Sequence, residues 1–216
     1  MTFSEPEAIS ISNSFSSRKN LKNPPSVVHF LIQLGFSDAH IRSSVQLKPE
    51  ILFSYVDKTL KPKLQFFQDL GLNCPDLGNF ISTHSHVLLD SLERTLIPCV
   101  DIIKKTLVND KNNRDLFQVL GRSYSDSLSR LKCNIAFLES CGIVGLPMLL
   151  KKEPKFFFNS ETALRDLVSR VSDIGFSVDS RMFVHAMCTV GSRSRENFSK
   201  KIELLRSCGL SMDEYV

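Results

Sequence analysis

Glycines recur at a nearly fixed spacing along this chain of 216 residues. They stand at Gly35, Gly71, Gly142, Gly175 and Gly209, separated by 36, 71, 33 and 34 residues. The long interval is two ordinary ones, so a phase without its glycine falls near Leu107. An internal period of this size is the mark of a repeat architecture, in which no single unit can bury its own apolar face.

The columns around the six anchors support the register. Seven residues before the anchor stand Val28, Leu64, Val100, Ile135, Val168 and Ile202. Four before it stand Leu31, Phe67, Ile103, Leu138, Val171 and Leu205. One after it stand Phe36, Leu72, Val108, Ile143, Phe176 and Leu210, and one before it only Thr106 breaks an apolar run that includes Leu34 and Leu70. Only 42% of the chain is hydrophobic, so three unbroken columns of six are not an accident of composition.

Apolar residues at −7, −4 and −1 form one stripe of an α-helix. The glycine then sits where a helix end takes a left-handed residue. Two residues past the anchor come Ser37, Asn73, Asn109, Val144, Ser177 and Ser211, five of which are helix N-cap types. The pattern predicts a helix, a glycine stop, an apolar staple, a cap and a second helix. Pro49 and Pro154, with Ser85 in the corresponding place, end the second helix in a short turn. Pro62 and Pro98, again 36 apart, open the next first helix. No series of alternating strands is visible. The expected fold is all-α: a right- or left-handed superhelical solenoid of about six helical-hairpin repeats of 33–36 residues.

Around this frame the sequence excludes much. No stretch approaches the ~20 apolar residues of a membrane helix. The best candidate, Gly142 to Leu150, is cut by Gly145 and Pro147. The six cysteines contain no Cys-x-x-Cys pair, so reduced and mostly buried thiols are expected. His84 and His86 point to different helix faces, and His29, His40 and His185 are isolated. No nucleophile, phosphate-loop or dinucleotide motif occurs. No catalytic residue, metal site, cofactor or small-molecule substrate is expected. The phenylalanines Phe66, Phe67, Phe137 and Phe156 to Phe158 fall on the repeat stripes and read as core.

The formal net charge is +4. Residues 1–110 carry 11 Lys/Arg against 11 Asp/Glu, so the whole excess lies beyond them. A mild basic excess permits an anionic partner. The candidate phosphate contacts are Lys151, Lys152, Lys155, Arg193, Arg195, Lys200 and Lys201, with Arg206 nearby. If corresponding ends of successive repeats line one groove, these side chains form a stripe along it.

One stretch is more specific than the period. Thr59-Leu-Lys-Pro-Lys-Leu-Gln-Phe-Phe-Gln-Asp-Leu-Gly71 follows Leu47-Lys-Pro-Glu-Ile-Leu52. With Lys152-Glu-Pro-Lys-Phe-Phe-Phe158, Val171-Ser-Asp-Ile-Gly-Phe176 and the run Phe198 to Leu210, it resembles the mitochondrial transcription termination factor (mTERF) family, especially its plant members. The resemblance covers about residues 24–216. It implies a superhelix with a basic groove for double-stranded DNA or structured RNA, in a nuclear-encoded mitochondrial or chloroplast protein. Transcription termination or regulation and intron RNA splicing are its implied roles. A protein-binding solenoid without nucleic acid is the alternative, and a monomer is expected.

Residues 1–24, rich in Ser and Asn, read as a flexible leader or presequence remnant. Residues 25–216 read as the repeat domain. Ser211-Met-Asp-Glu214 is a capping-box pattern, and the chain stops at Val216. A C-terminally incomplete repeat array, as in a fragment, a truncated gene model or a shortened paralogue, is therefore expected. A longer loop is expected after Leu107, over Asn109 to Arg114.

Overall fold

A computed structural model of the chain describes residues 24–107, 113–122 and 127–192, and beyond them 196, 200, 203, 204 and 207. Every element among these residues is helical. The first repeat holds α1 (Pro24–Gln33) and α2 (Asp38–Leu47), so Pro24, placed in the leader by the sequence, already belongs to α1. The second holds α3 (Lys61–Asp69) and α4 (Asp76–Thr83). The third holds α5 (Ile97–Thr106) and α6 (Arg114–Leu120). The fourth holds α7 (Ser127–Ser140), α8 (Leu146–Lys152) and the single turn α9 (Lys155–Phe158). The fifth holds α10 (Glu161–Asp173) and α11 (Arg181–Gly191). Two compact units result, Met1–Val100 with Asp110–Gly121, and Asp101–Asn109 with Arg122–Val216.

Within a unit, like packs on like. In the first, α2 lies on α4; in the second, α7 lies on α10 and α8 on α11. First helices therefore stack on first helices and second on second, as a repeat array requires. The −4 column is the deepest: Leu31, Phe67, Ile103, Leu138 and Val171 are all at most 1% exposed. The −1 residues are only half-buried, because they sit at the helix end.

The anchor glycines end their helices as expected. Gly71 and Gly142 take φ of 102° and 73°, and a Cβ on either would meet no atom within 4 Å, so the left-handed backbone alone demands glycine there. The N–H of Gly71 bonds to Gln68 O and that of Leu72 to Phe67 O, at 2.8 and 3.1 Å. The same pair of bonds recurs at Gly35 and Phe36 and at Gly142 and Ile143. This is the Schellman arrangement, whose hydrophobic contact joins the residue after the glycine to the one five before it. The −4 and +1 columns are apolar for that reason.

The cap expectation holds at Ser37 and fails at Asn73 and Ser177. The Ser37 hydroxyl accepts from the N–H of His40, and the His40 ring accepts in return from the N–H of Ser37. Asn73 does not cap: α4 begins at Asp76, after Cys74 and Pro75. Ser177 bonds instead to the Asp179 side chain, and Ser180 caps α11 through the N–H of Met182. Val144 gives way to Gly145, at φ 94°. Asn109 and Ser211 lie outside the described residues, as do residues 1–23, most of the expected loop after Leu107, and Ser211 to Glu214.

The proline positions are borne out, with one addition. Short turns follow the second helices of the first, second and fourth repeats, at Pro49–Phe53, Ser85–Leu88 and α9. Pro62 and Pro98 lie in the first turns of α3 and α5, but each helix is preceded by a wide turn, at Val56–Leu60 and Leu92–Leu96. There the N–H groups reach five residues back, Leu60 to Tyr55 and Leu96 to Ser91. A proline supplies no N–H and its ring crowds the carbonyl four residues earlier. The turn opens by one residue to relieve both.

The eighth residue before the anchor adds a link that no apolar column reveals. In the second repeat it is Lys63, 5% exposed, whose Nζ donates to Leu88 O at 2.6 Å. In the fourth it is Asn134, 1% exposed, whose Nδ2 lies 3.0 to 3.3 Å from the carbonyls of Phe156, Phe157 and Asn159. Leu88 and Asn159 both stand 17 residues after their anchors. One register thus ties the first helix to the short turn of its own repeat. Burial pushes the Lys63 amine below its ordinary value, and Asp90 opposes that shift. Burial pushes Asp90 up, against the pull of Lys63 and Lys48.

The expectation of mostly buried thiols needs correction. Cys99 is buried, Cys141 and Cys188 are half-buried, and Cys74 and Cys133 are exposed. Cys74 is exposed, and its Sγ reaches across to the α1 end, donating to Leu34 O at 2.9 Å. Cys133 lies on the outer face of α7, next to the buried positions but not among them.

Candidate nucleic-acid interface

The basic set centres on the α8–α9 junction of the second unit. Lys151 and Lys152 form the last turn of α8, where a cation complements the exposed carbonyls. Pro154 then starts α9, and Lys155 is its first residue. The fold brings this junction against α11. Lys152 Nζ lies 3.4 Å from His185 Nδ1, across 33 residues of chain. Since an ammonium can only donate, the His185 Nδ1 accepts.

Lys155 is already paired, 3.0 Å from Glu153, and it also lies 5.4 Å from the centre of the Phe156 ring. Lys200 pairs with Glu196 at 2.6 Å, and both side chains are well exposed. Exposed pairs of this kind are worth about 0–1 kcal/mol. Either lysine can therefore exchange its carboxylate for a phosphate at small cost. Residues 151–155 carry three lysines against one glutamate, so the junction stays net positive.

The same cluster explains Cys188. Burial holds its thiol above the ordinary value, Glu153 pushes the same way, and Lys152 and Lys155 oppose them. The protonated thiol is a poor nucleophile. Among the described residues no group of His, Cys, Asp and Glu could hold a metal ion. No helix among them is long and apolar enough to cross a membrane.

Of the seven candidate contacts, Lys152 and Lys155 are brought together against α11, with Lys151 half-buried beside them. Lys200 lies on a later helical stretch. Arg193, Arg195 and Lys201 lie outside the described residues. By register Lys201 stands eight residues before Gly209, the place that Lys63 and Asn134 take in their repeats.

Sequence reasoning missed two things. His185 had no neighbour in sequence to mark it. The other is a basic column ten residues before the anchor, Lys61, Lys132 and Arg165. All three are exposed. The Arg165 guanidinium lies 4.2 Å from the Phe137 ring centre and bonds to Glu161. That stacking uses the half-buried Phe137 on its outer face. Phe67 and Phe156 to Phe158 are core, as expected, while Phe66 and Phe137 are half-buried.

Neither a curated protein nor a solved structure matches this chain. The model of one family, mTERF, matches residues 28–216, which takes in all five described repeats apart from the first turn of α1. Helical repeats with glycine stops, proline-opened first helices and that match lead to one conclusion: the chain belongs to the mTERF family.

Proposed function

We propose that this chain binds double-stranded DNA through the basic junction of α8, α9 and α11, and so regulates or terminates transcription in a mitochondrion or chloroplast. Family membership points to nucleic-acid binding and to regulation of gene expression in organelles, by proteins that are generally not enzymes. The observation that carries the reading is the net-positive junction held against α11, with Lys152 beside His185 and Lys155 paired only at the surface. Lys151, Lys152, Lys155, Arg193, Arg195, Lys200 and Lys201 are the proposed contacts. Phosphate neutralisation would supply the affinity, and arginine side chains would reach base edges if the target is sequence-specific. Bound duplex would then obstruct or position the polymerase.

The test is salt-dependent binding to duplex DNA, duplex RNA and single strands. Log affinity should fall linearly with log salt, and changing Lys152 and Lys155 to Ala should make that slope shallower by about 1 per lysine. Preference for structured RNA over duplex DNA would move the reading to intron RNA processing. No binding at low salt by folded protein would sink it.

A further inference from the structure

A second surface of the same unit has a different chemistry. A groove of about 450 Å³ runs between α5 and α7. Its apolar lining includes Ile102, Ile135, Ala136 and Leu146, and Lys105, Lys132 and Glu139 line it too. We propose that this groove docks an acidic, amphipathic segment of a partner protein.

Three observations favour that occupant. First, the floor is apolar and the volume lies in the range of pockets that enclose a compact apolar group, about 300–1,000 Å³. A phosphate backbone would leave such a floor unused. Second, Lys105 and Lys132 are exposed and have no ion-pair or hydrogen-bond partner among the described residues. Lys155 and Lys200 differ, since each already carries a glutamate. Incoming carboxylates would thus meet charge that nothing in the described fold has neutralised. Third, Glu139 shares the groove and is also unpaired among the described residues. It disfavours a uniformly anionic ligand and suits a segment of mixed charge.

Lys105 on α5 and Lys132 on α7 line the same groove. A helical segment with an apolar stripe flanked by carboxylates would seat the stripe on the floor and give the two lysines partners. This is the helix-in-groove mode of recognition.

The test uses the full chain as bait for a display library of random 16-residue peptides. The recovered peptides should share an apolar stripe flanked by Asp or Glu. Their affinity should fall about tenfold or more for the double variant Lys105→Glu, Lys132→Glu. Ala136→Arg, which fills the floor, should cost as much, while Lys58→Ala, an exposed lysine of the first unit, should leave peptide affinity unchanged. The milder pair Lys105→Gln, Lys132→Gln, checked by circular dichroism, separates charge loss from misfolding and should still weaken binding. Recovery of no peptide, or of peptides without acidic residues, would overturn the proposal. So would charge reversal that leaves peptide binding intact, or that weakens duplex binding alone.

Discussion

The short turns Ser85–Leu88 and Lys155–Phe158 solve one problem in two ways. Each ends a second helix and must be tied to the first helix of its own repeat. In the fourth repeat a neutral Asn134 makes the link with one amide shared among three carbonyls. In the second a buried lysine does it with one short bond to Leu88 O, beside an Asp90 whose Oδ2 finds no hydrogen-bond partner. The first repeat has Val27 and Leu52 in the same two places, both buried. The register fixes where the link lies, and chemistry at that place is free to vary. A neutral amide is the stronger solution, because a buried ammonium keeps its hydrogen bond only against a desolvation cost.

The contrast predicts an ordered set of effects. Asn134→Leu leaves the carbonyls at the end of the fourth repeat without their donor, and should cost about 2 kcal/mol in urea unfolding. Part of the loss is offset because the buried Asn134 Oδ1 itself has no partner. Ser85→Ala removes the bond from its hydroxyl to Ile81 O, 2.8 Å and buried, and should cost about 1 kcal/mol. Lys63→Met keeps the stem's packing and removes the desolvated charge, so stability should stay within about 1 kcal/mol of wild type. An equal loss at Asn134 and Lys63 would break the comparison.

The smallest effect is the one that only the lysine solution can show. Lys63 has its folded value below the ordinary 10.5, so the unfolded chain holds that proton more tightly. Stability should therefore rise with pH between the folded value and about 10.5. Asp90 has its folded value above 3.8, so the native state keeps its proton longer, and stability should fall as pH rises through that window. In Lys63→Met the alkaline rise should vanish. The acid-side window should also widen upward, because the lysine no longer holds Asp90 down. Asn134→Leu should leave both limbs unchanged. Unfolding free energy measured from about pH 4 to pH 10 checks all three.

Much of the fold was legible because it rests on steric rules local to the chain. A left-handed residue wants glycine, and the Schellman contact wants apolar partners at −4 and +1. Proline marked the turns at Pro49 and Pro154 and the first helices at Pro62 and Pro98. The caps were less legible, since any Ser or Asn near a helix start is a candidate. At Ser177 the Asp179 side chain took the hydroxyl, and Ser180, three residues on, took the capping role. The lysines of the basic junction were legible as a cluster because Lys151, Lys152 and Lys155 are close in sequence. The groove lysines were not, because Lys105 and Lys132 are 27 residues apart and only packing of α7 beside α5 makes them neighbours of one cavity.

By itself, the sequence determined the repeat, its all-helical class and its family, since period, glycine backbone and proline geometry are properties of short segments. Tertiary structure alone decided which polar side chains are structural and which are available. Lys63 and Lys132 are the same residue type two positions apart in the repeat. One turns inward to a carbonyl and is desolvated, while the other stays in water. The difference is about 200° of helix rotation, two residues at 100° each, read against a core that only the neighbouring helices define.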